Sequence, residues 1–340
     1  MRQWMIYGAN GYTGELIARE AVRRGMQPIL AGRDAGRVAP LADSLGRPWR
    51  AFPLATPLLD DVGLVLNCAG PFSRTSRLMV EACLAAGAHY LDITGEIDVF
   101  ESIFARAEEA RRRGVALIPG VGFDVVPTDC LAAMLARRLP DADQLMLAFS
   151  TSRGSNMSRG TLRTAIEGAA KGGVIRERGR IVHVPLAHDV REIPFPSGVR
   201  RAMTIPWGDV STAFRTTGIP NIRVYTASSD RAIRRARRFA RLAPLAALPG
   251  ITPLLKWLVR RGGPSADQRA SGRVELWGRV ARGSEEVSMT MTTPEGYELT
   301  VRTALAAVER LLDGSVGSGA FTPSQAFGAE FVTTIPGVSI

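Results

Sequence analysis

Three glycines fall within seven residues at Gly8-Ala9-Asn10-Gly11-Tyr12-Thr13-Gly14, the stretch of the chain best suited to hold a phosphate. In such a loop one glycine allows a tight turn, one lets the backbone approach the ligand, and one lets the following helix pack closely. Asn10, Tyr12 and Thr13 share the loop and count with Gly8, Gly11 and Gly14 as candidate cofactor residues. The helix after the loop points its first peptide N–H groups at the occupant, so that occupant is expected to be an anion. Arg33 and Asp34 close the second apolar run, Pro28-Ile29-Leu30-Ala31-Gly32. A guanidinium there can pair with the extra phosphate of NADP, whereas a carboxylate usually holds the ribose hydroxyl of NAD. Arg33 comes first, so NADP(H) is preferred, and Asp34 leaves NAD(H) open.

These residues need strands and helices to position them, and the first third of the chain supplies an alternating pattern. A short apolar run precedes the glycine loop, and a helix with Leu16, Ile17, Ala21 and Val22 at helical spacing stops at Gly25. Further strands are expected at Ala51–Leu54, Leu64–Cys68, Tyr90–Thr94 and Val115–Pro119. Helices are expected at Ser76–Ala86, stopped by Gly87, and at Phe100–Arg113, stopped by Gly114. Strict alternation gives an α/β fold with a Rossmann-type doubly wound parallel sheet. Ligands of such a sheet lie across the carboxyl ends of its strands. Three further loops leave those ends: Asn67-Cys68-Ala69-Gly70-Pro71-Phe72, Asp92-Ile93-Thr94-Gly95-Glu96, and the turn from Pro119 to Asp129. Cys68, Ala69, Gly70, Pro71 and Phe72 can line the cofactor, as can Gly120 and Gly122. Glu96, Asp124 and Asp129 are the carboxyl groups placed to carry a proton, although Asp129 is equally a first-turn carboxylate favoured by the helix dipole.

Beyond about residue 125 the pattern changes to runs that alternate apolar and polar residues, at 145–151, 180–185, 199–206, 221–227, 272–280 and 286–293. They predict a second α+β domain with a mostly antiparallel sheet, with helices at Thr161–Ala170 and Arg231–Arg241. Helices return at 297–312 and 323–331. The expected domains are 1–125 for the dinucleotide, 126–294 for substrate and dimerisation, and 295–340 packing back on the first.

The chain of 340 residues is 46% hydrophobic with a net charge of +11, yet Lys171 and Lys256 are its only lysines. An arginine skew of that kind, without zinc-finger spacing or an aromatic-rich basic face, argues against nucleic acid as a partner. Cys68, Cys83 and Cys130 contain no Cys-x-x-Cys pair, and His89, His183 and His188 do not join them at ligand spacing. The expectation is free thiols in a reducing compartment and no metal site. The first strand begins almost at Met1, so a cleavable signal peptide would remove part of the cofactor fold, and the protein is expected in the cytoplasm. Leu242–Val259 is apolar and flanked by arginines from Arg231 to Arg261. Prolines and Gly250 break it, which disfavours a span. Two readings stay open for 231–261: a peripheral contact with an anionic membrane surface, or a buried helical hairpin.

The motifs together resemble the saccharopine dehydrogenase-like oxidoreductases, the group that includes saccharopine reductases and trans-acting enoyl reductases. The resemblance rests on residues 8–14, Ala-Gly-Arg at 31–33, Asn-Cys-Ala-Gly-Pro-Phe at 67–72, Tyr-Leu-Asp-Ile-Thr-Gly-Glu at 90–96 and Gly-Phe-Asp-Val-Val-Pro-Thr-Asp at 122–129. It implies a two-domain, dimeric reductase that uses NADP(H), with Gly8, Gly11, Gly14, Arg33 and the 67–72 loop holding the cofactor. The hydride would go to an imine or an activated alkene of a small or lipid-like, acyl-bearing substrate. Such a reduction also needs a proton donor. Glu167 and Thr252 stand four residues before the two lysines, so there is no Tyr-x-x-x-Lys pair, and the donor is one of the three carboxyls or solvent. The alternative is a non-catalytic NADP-binding module that engages a protein or membrane partner.

Overall fold

The computed structural model describes residues 3–151, 172–246 and 263–340. The helix expected at 161–170 and most of the apolar segment 242–259 lie outside the described residues. The chain divides into two compact units, Met1–Val126 with Tyr297–Gly328, and Pro127–Gly296 with Ala329–Ile340.

In the first unit, strands β1 (Gln3–Tyr7), β2 (Ile29–Gly32), β3 (Trp49–Ala51), β4 (Val62–Asn67), β5 (His89–Asp92) and β6 (Ala116–Ile118) alternate with helices. The helices are α1 (Tyr12–Arg23), α2 (Ala35–Ser44), α3 (Phe72–Ala86), α4 (Ile97–Phe104) and α5 (Ala107–Arg113). A two-residue strand, Gly319–Ala320, completes a sheet ordered Gly319–Ala320, β6, β5, β4, β1, β2, β3, in which every pairing is parallel. This is the dinucleotide-binding order, with its switch point between β1 and β4. Helices cover both faces, so the central strands are buried apolar runs. Met5, Ile6, Leu30, Leu64 and Leu66 are fully buried. The left-handed glycines Gly87 and Gly114 end α3 and α5, where a residue with a Cβ would be strained.

Four elements differ from expectation, each for an identifiable reason. The third strand lies at Trp49–Ala51 rather than 51–54, and Pro53, which has no N–H to give a ladder, follows it. Helix α3 begins at Phe72 rather than Ser76 because Glu96, distant in sequence, caps it. The expected helix 100–113 is two, because the Arg106 N–H closes on Ile103 in a tighter turn. The last helix covers only Pro323–Phe327, held by a reciprocal Thr322–Gln325 cap and stopped at Gly328.

The second unit holds β7 (Gln144–Thr151), β8 (Gly173–Glu177), β9 (Arg180–Val184), β10 (Val190–Phe195), β11 (Gly198–Thr204), β12 (Asn221–Ala227), β13 (Arg273–Arg282) and β14 (Glu285–Pro294). The sheet runs β10-β11-β12-β7-β13-β14, and β8 pairs with β12 and β9. Only the β7–β12 pairing is parallel, so the sheet is mostly antiparallel. Helices in this unit include α6 (Val126–Arg138), α7 (Asp209–Thr217), α8 (Asp230–Ala246) and α9 (Ala266–Ser271). Strands β8 and β10 were not expected, since charges interrupt both. In β8 the charge is buried usefully: Arg176 donates to the carbonyls of Val210 and Gly179 and stacks over Phe214 at 4.1 Å.

Candidate functional site

The loops at the carboxyl ends of the first unit's strands form one connected layer. Gly8, at φ +83°, would place a Cβ 2.7 Å from the Ala69 nitrogen, so the β1 and β4 loops touch through backbone alone. A Cβ at Gly14 would lie 2.3 Å from the Gly8 carbonyl oxygen, which fixes α1 tightly on the loop. Gly11 stands at the N-cap of α1 and donates to the Gly8 carbonyl. It has no side chain to cap the helix, so the first-turn N–H groups of Thr13 and Gly14 are placed where they could receive an anion. A Cβ at Gly32 would strike Asn10 Oδ1 at 2.8 Å, so Asn10 bridges the β1 loop and the end of β2. Tyr12 packs edge-on against Tyr297 at 5.1 Å. Close backbone approach and an uncapped helix start fit a dinucleotide pyrophosphate.

Under this layer runs a buried polar network that the sequence reading did not assign. Asn67 Nδ2 donates to the Tyr90 hydroxyl at 3.3 Å, and that hydroxyl donates to Asp92 Oδ2 at 2.7 Å. Asp92 Oδ1 accepts from the N–H groups of Thr94 at 3.0 Å and Gly120 at 2.8 Å. Asn67 Oδ1 accepts from Ala69 N–H at 3.1 Å. One network thereby fixes the loops after β4, β5 and β6. Burial pushes the Asp92 carboxyl up to about 6, against the lowering effect of those hydrogen bonds. The sequence signal was a polar residue ending a buried apolar run, Asn67 after Leu64-Val65-Leu66 and Asp92 after Tyr90-Leu91.

The three candidate carboxyls have different surroundings. Glu96 accepts from the N–H groups of Phe72 at 2.7 Å and Ser73 at 3.0 Å, serving as the helix cap that Pro71 cannot provide. Asp129 is fully buried in α6 of the second unit and accepts from the Thr216 hydroxyl at 2.5 Å. Asp124 lies against Gly95, where an added Cβ would be 2.6 Å from its Oδ2, and makes no hydrogen bond or ion pair among the described residues. Desolvation alone raises its carboxyl to about 6.

At the end of β2 the two charges also separate. Asp34 caps α2, accepting from Gly36 N–H at 3.0 Å. Arg33 is exposed and unpaired among the described residues. Cys68 sits in the β4 loop with its thiol pushed up by burial. Pro71 precedes α3 and Phe72 begins it, buried. Gly70 is exposed at the loop tip. Gly120 requires glycine, with φ +76° and Val125 and Phe100 within 2.9 Å of an added Cβ. A side chain at Gly122 would meet Thr300 at 3.0 Å. The same turn is tied to the helix Gly296–Leu312, since Thr300 Oγ1 accepts from Phe123 N–H and Thr303 Oγ1 donates to the Val121 carbonyl. Among the described residues no His, Cys, Asp and Glu cluster could hold a metal.

Residues 4–118 match the family model described as the saccharopine dehydrogenase NADP binding domain. A protein of Mycobacterium tuberculosis named a trans-acting enoyl reductase is 29% identical over 184 residues, covering 48% of this chain and 43% of that protein. The Homo sapiens saccharopine dehydrogenase-like oxidoreductase is 27% identical over 250 residues, covering 62% of this chain and 58% of that protein. The chain spans about half the length of the curated relatives it matches. Among solved structures, the apo saccharopine dehydrogenase (L-Glu forming) of Saccharomyces cerevisiae shares the fold, with a TM-score of 0.64 over 98% of this chain and 96% of that one at 10% identity. Through the family-model match over residues 4–118 and these relatives, the chain is similar to the saccharopine dehydrogenase-like oxidoreductases.

Proposed function

We propose that the chain is an NADPH-dependent reductase that acts on an imine or an activated alkene of a small or acyl-bearing substrate, with Asp124 carrying the proton. Asp124 carries the reading. Among the described residues it is the one candidate carboxyl at these strand ends without a hydrogen-bond or ion-pair partner, and desolvation lifts it to about 6, the range in which a carboxylic acid gives up a proton near neutral pH. NADPH supplies the hydride when bound. Gly8, Gly11 and Gly14 admit its pyrophosphate to the start of α1, and Arg33 pairs with its 2′-phosphate. Asp34 commits one carboxylate oxygen to capping α2, which leaves Arg33 as the charge at this strand end without a protein partner among the described residues. Gly120 and the Asp92 network hold the Asp124 turn in place. The acyl-bearing option draws on the Mycobacterium relative, named for enoyl reduction.

Fluorescence titration with NADPH and NADH, followed by turnover assays on a panel of imines and enoyl thioesters, tests the proposal. The expected result is tighter binding of NADPH and turnover with one of the two classes. Equal affinity for the two cofactors, or none for either, overturns the cofactor assignment. Tight NADPH binding without turnover on either class overturns the reductase reading in favour of a binding module.

A further inference from the structure

Arginines on the helices of the first unit repeatedly meet a carboxylate three or four residues away. Arg19 pairs with Glu15, Arg23 and Arg24 with Glu20, Arg77 with Glu81, Arg106 with Glu109, and Arg302 with Glu298. Such pairs neutralise a helix surface and add a few tenths of a kcal/mol each. Helix α8 departs from this pattern. Its only carboxylate, Asp230, is bound by Arg201 of β11 at 2.8 Å. Arg231, Arg234, Arg235 and Arg238 are exposed and unpaired among the described residues. Their spacing of three, four and seven residues aligns them as one stripe about 10 Å long. Ile233, on the opposite side, is buried at 3% exposure and anchors the helix to the unit. Arg237 points elsewhere and donates to the Ala187 carbonyl at 3.2 Å.

Four guanidiniums on one helix face, with no carboxylate partner among the described residues, repel one another, and an external anion lying across them would relieve that repulsion. We propose that this stripe is a docking face for the phosphate headgroups of an anionic lipid surface. Two features of the sequence favour lipid over nucleic acid. Helix α8 carries Phe239 as its only aromatic residue, so its basic face offers no row of rings for bases to stack on. The residues that follow, Leu242–Val259, carry Lys256 as their only charge and are succeeded by Arg260 and Arg261, a composition suited to a headgroup boundary. The inference is independent of the reductase reading, and NADPH affinity serves as the control that separates the two.

The test is sedimentation of the full chain with vesicles of phosphatidylcholine alone or mixed with phosphatidylglycerol. The comparison variant is Arg234→Gln/Arg235→Gln/Arg238→Gln, with NADPH affinity and thermal melting measured in parallel. The unmodified chain should pellet with phosphatidylglycerol vesicles at low salt, stay soluble with phosphatidylcholine, and be released near 1 M salt, where screening shortens to about 3 Å. Each lost arginine should weaken partitioning about fivefold, so the triple variant should lose on the order of a hundredfold. Its NADPH affinity and melting temperature should be unchanged. Failure to pellet with phosphatidylglycerol at low salt, equal pelleting by the triple variant, or equally tight binding to duplex DNA would each overturn the proposal.

Discussion

The loop after β5 and the turn after β6 leave neighbouring strands and share Asp92 as their fastening, yet they treat their carboxyl groups in opposite ways. Glu96 in the first is held by two peptide N–H groups at the start of α3. Asp124 in the second has no hydrogen-bond or ion-pair partner among the described residues, and burial raises its carboxyl to about 6. A carboxylate that completes a helix cannot release that duty each turnover without cost, whereas one that holds only a proton can. The end of β2 repeats the contrast, with Asp34 engaged as a cap and Arg33 left to meet a ligand.

The largest expected effect is on Asp124. Asp124→Asn keeps the shape of the side chain and removes the transferable proton, so kcat/KM for reduction should fall about 10²–10⁴-fold while NADPH affinity stays within about twofold. The acid form is the competent one, so in the unmodified enzyme kcat/KM for reduction should decline as pH rises through about 6. That inflection should vanish in Asp124→Asn. Asp92 also lies at about 6, so the variant, and not the profile alone, assigns the group.

Asp92→Ala tests whether the shared fastening is what makes the two loops comparable. It orphans the buried N–H groups of Thr94 and Gly120 and should cost on the order of 3 kcal/mol in chemical denaturation. In the folded protein the Asp92 carboxyl is raised from 3.8 to about 6, so the folded state binds this proton more tightly than the unfolded chain. Its stabilising contribution is complete below about 4 and is lost as pH rises through about 6. Asp92→Ala should flatten the stability profile over that window. An unchanged profile would move the titration to another group.

Arg33→Ala addresses the contrast at β2 and should weaken NADPH by about 1.5–3 kcal/mol while leaving NADH nearly untouched, measured by titration. Unchanged selectivity would make Arg33 a solvated surface charge.

The sheet was legible because each central strand is a continuous apolar run that ends in a glycine or a polar residue. The β1 loop was legible because close backbone approach admits only glycine at Gly8 and Gly14. Strands β8 and β10 escaped because Arg176, Arg191 and Glu192 break their apolar pattern, and Arg176 finds its carbonyl partners only in the folded unit. Asp34 obeyed the helix N-cap rule in the sequence, but a competing role as a ribose ligand suited the same position. The task of Glu96 could not be read at all. Its partners Phe72 and Ser73 lie more than 20 residues away in the chain and come near only once β4 and β5 pair. Glu96, Asp124 and Asp129 therefore looked alike as letters and became distinct only through their neighbours.

The smallest expected effect belongs to Glu96→Gln, and it is the most discriminating for the contrast between the two loops. Glutamine keeps one oxygen for a peptide N–H and turns an amide toward the other, so the cap on α3 is weakened and its charge is lost. The expected loss is about 1 kcal/mol, seen as a fall of a few degrees in melting temperature. Turnover should stay within about threefold of the unmodified enzyme, because α3 still starts at Phe72 and the Asp124 turn is fastened through Asp92 instead. The inflection near pH 6 should also remain. If Glu96→Gln abolished that inflection while Asp124→Asn preserved it, the proton carrier would be the helix cap, and the roles assigned to the two carboxyls would have to be exchanged.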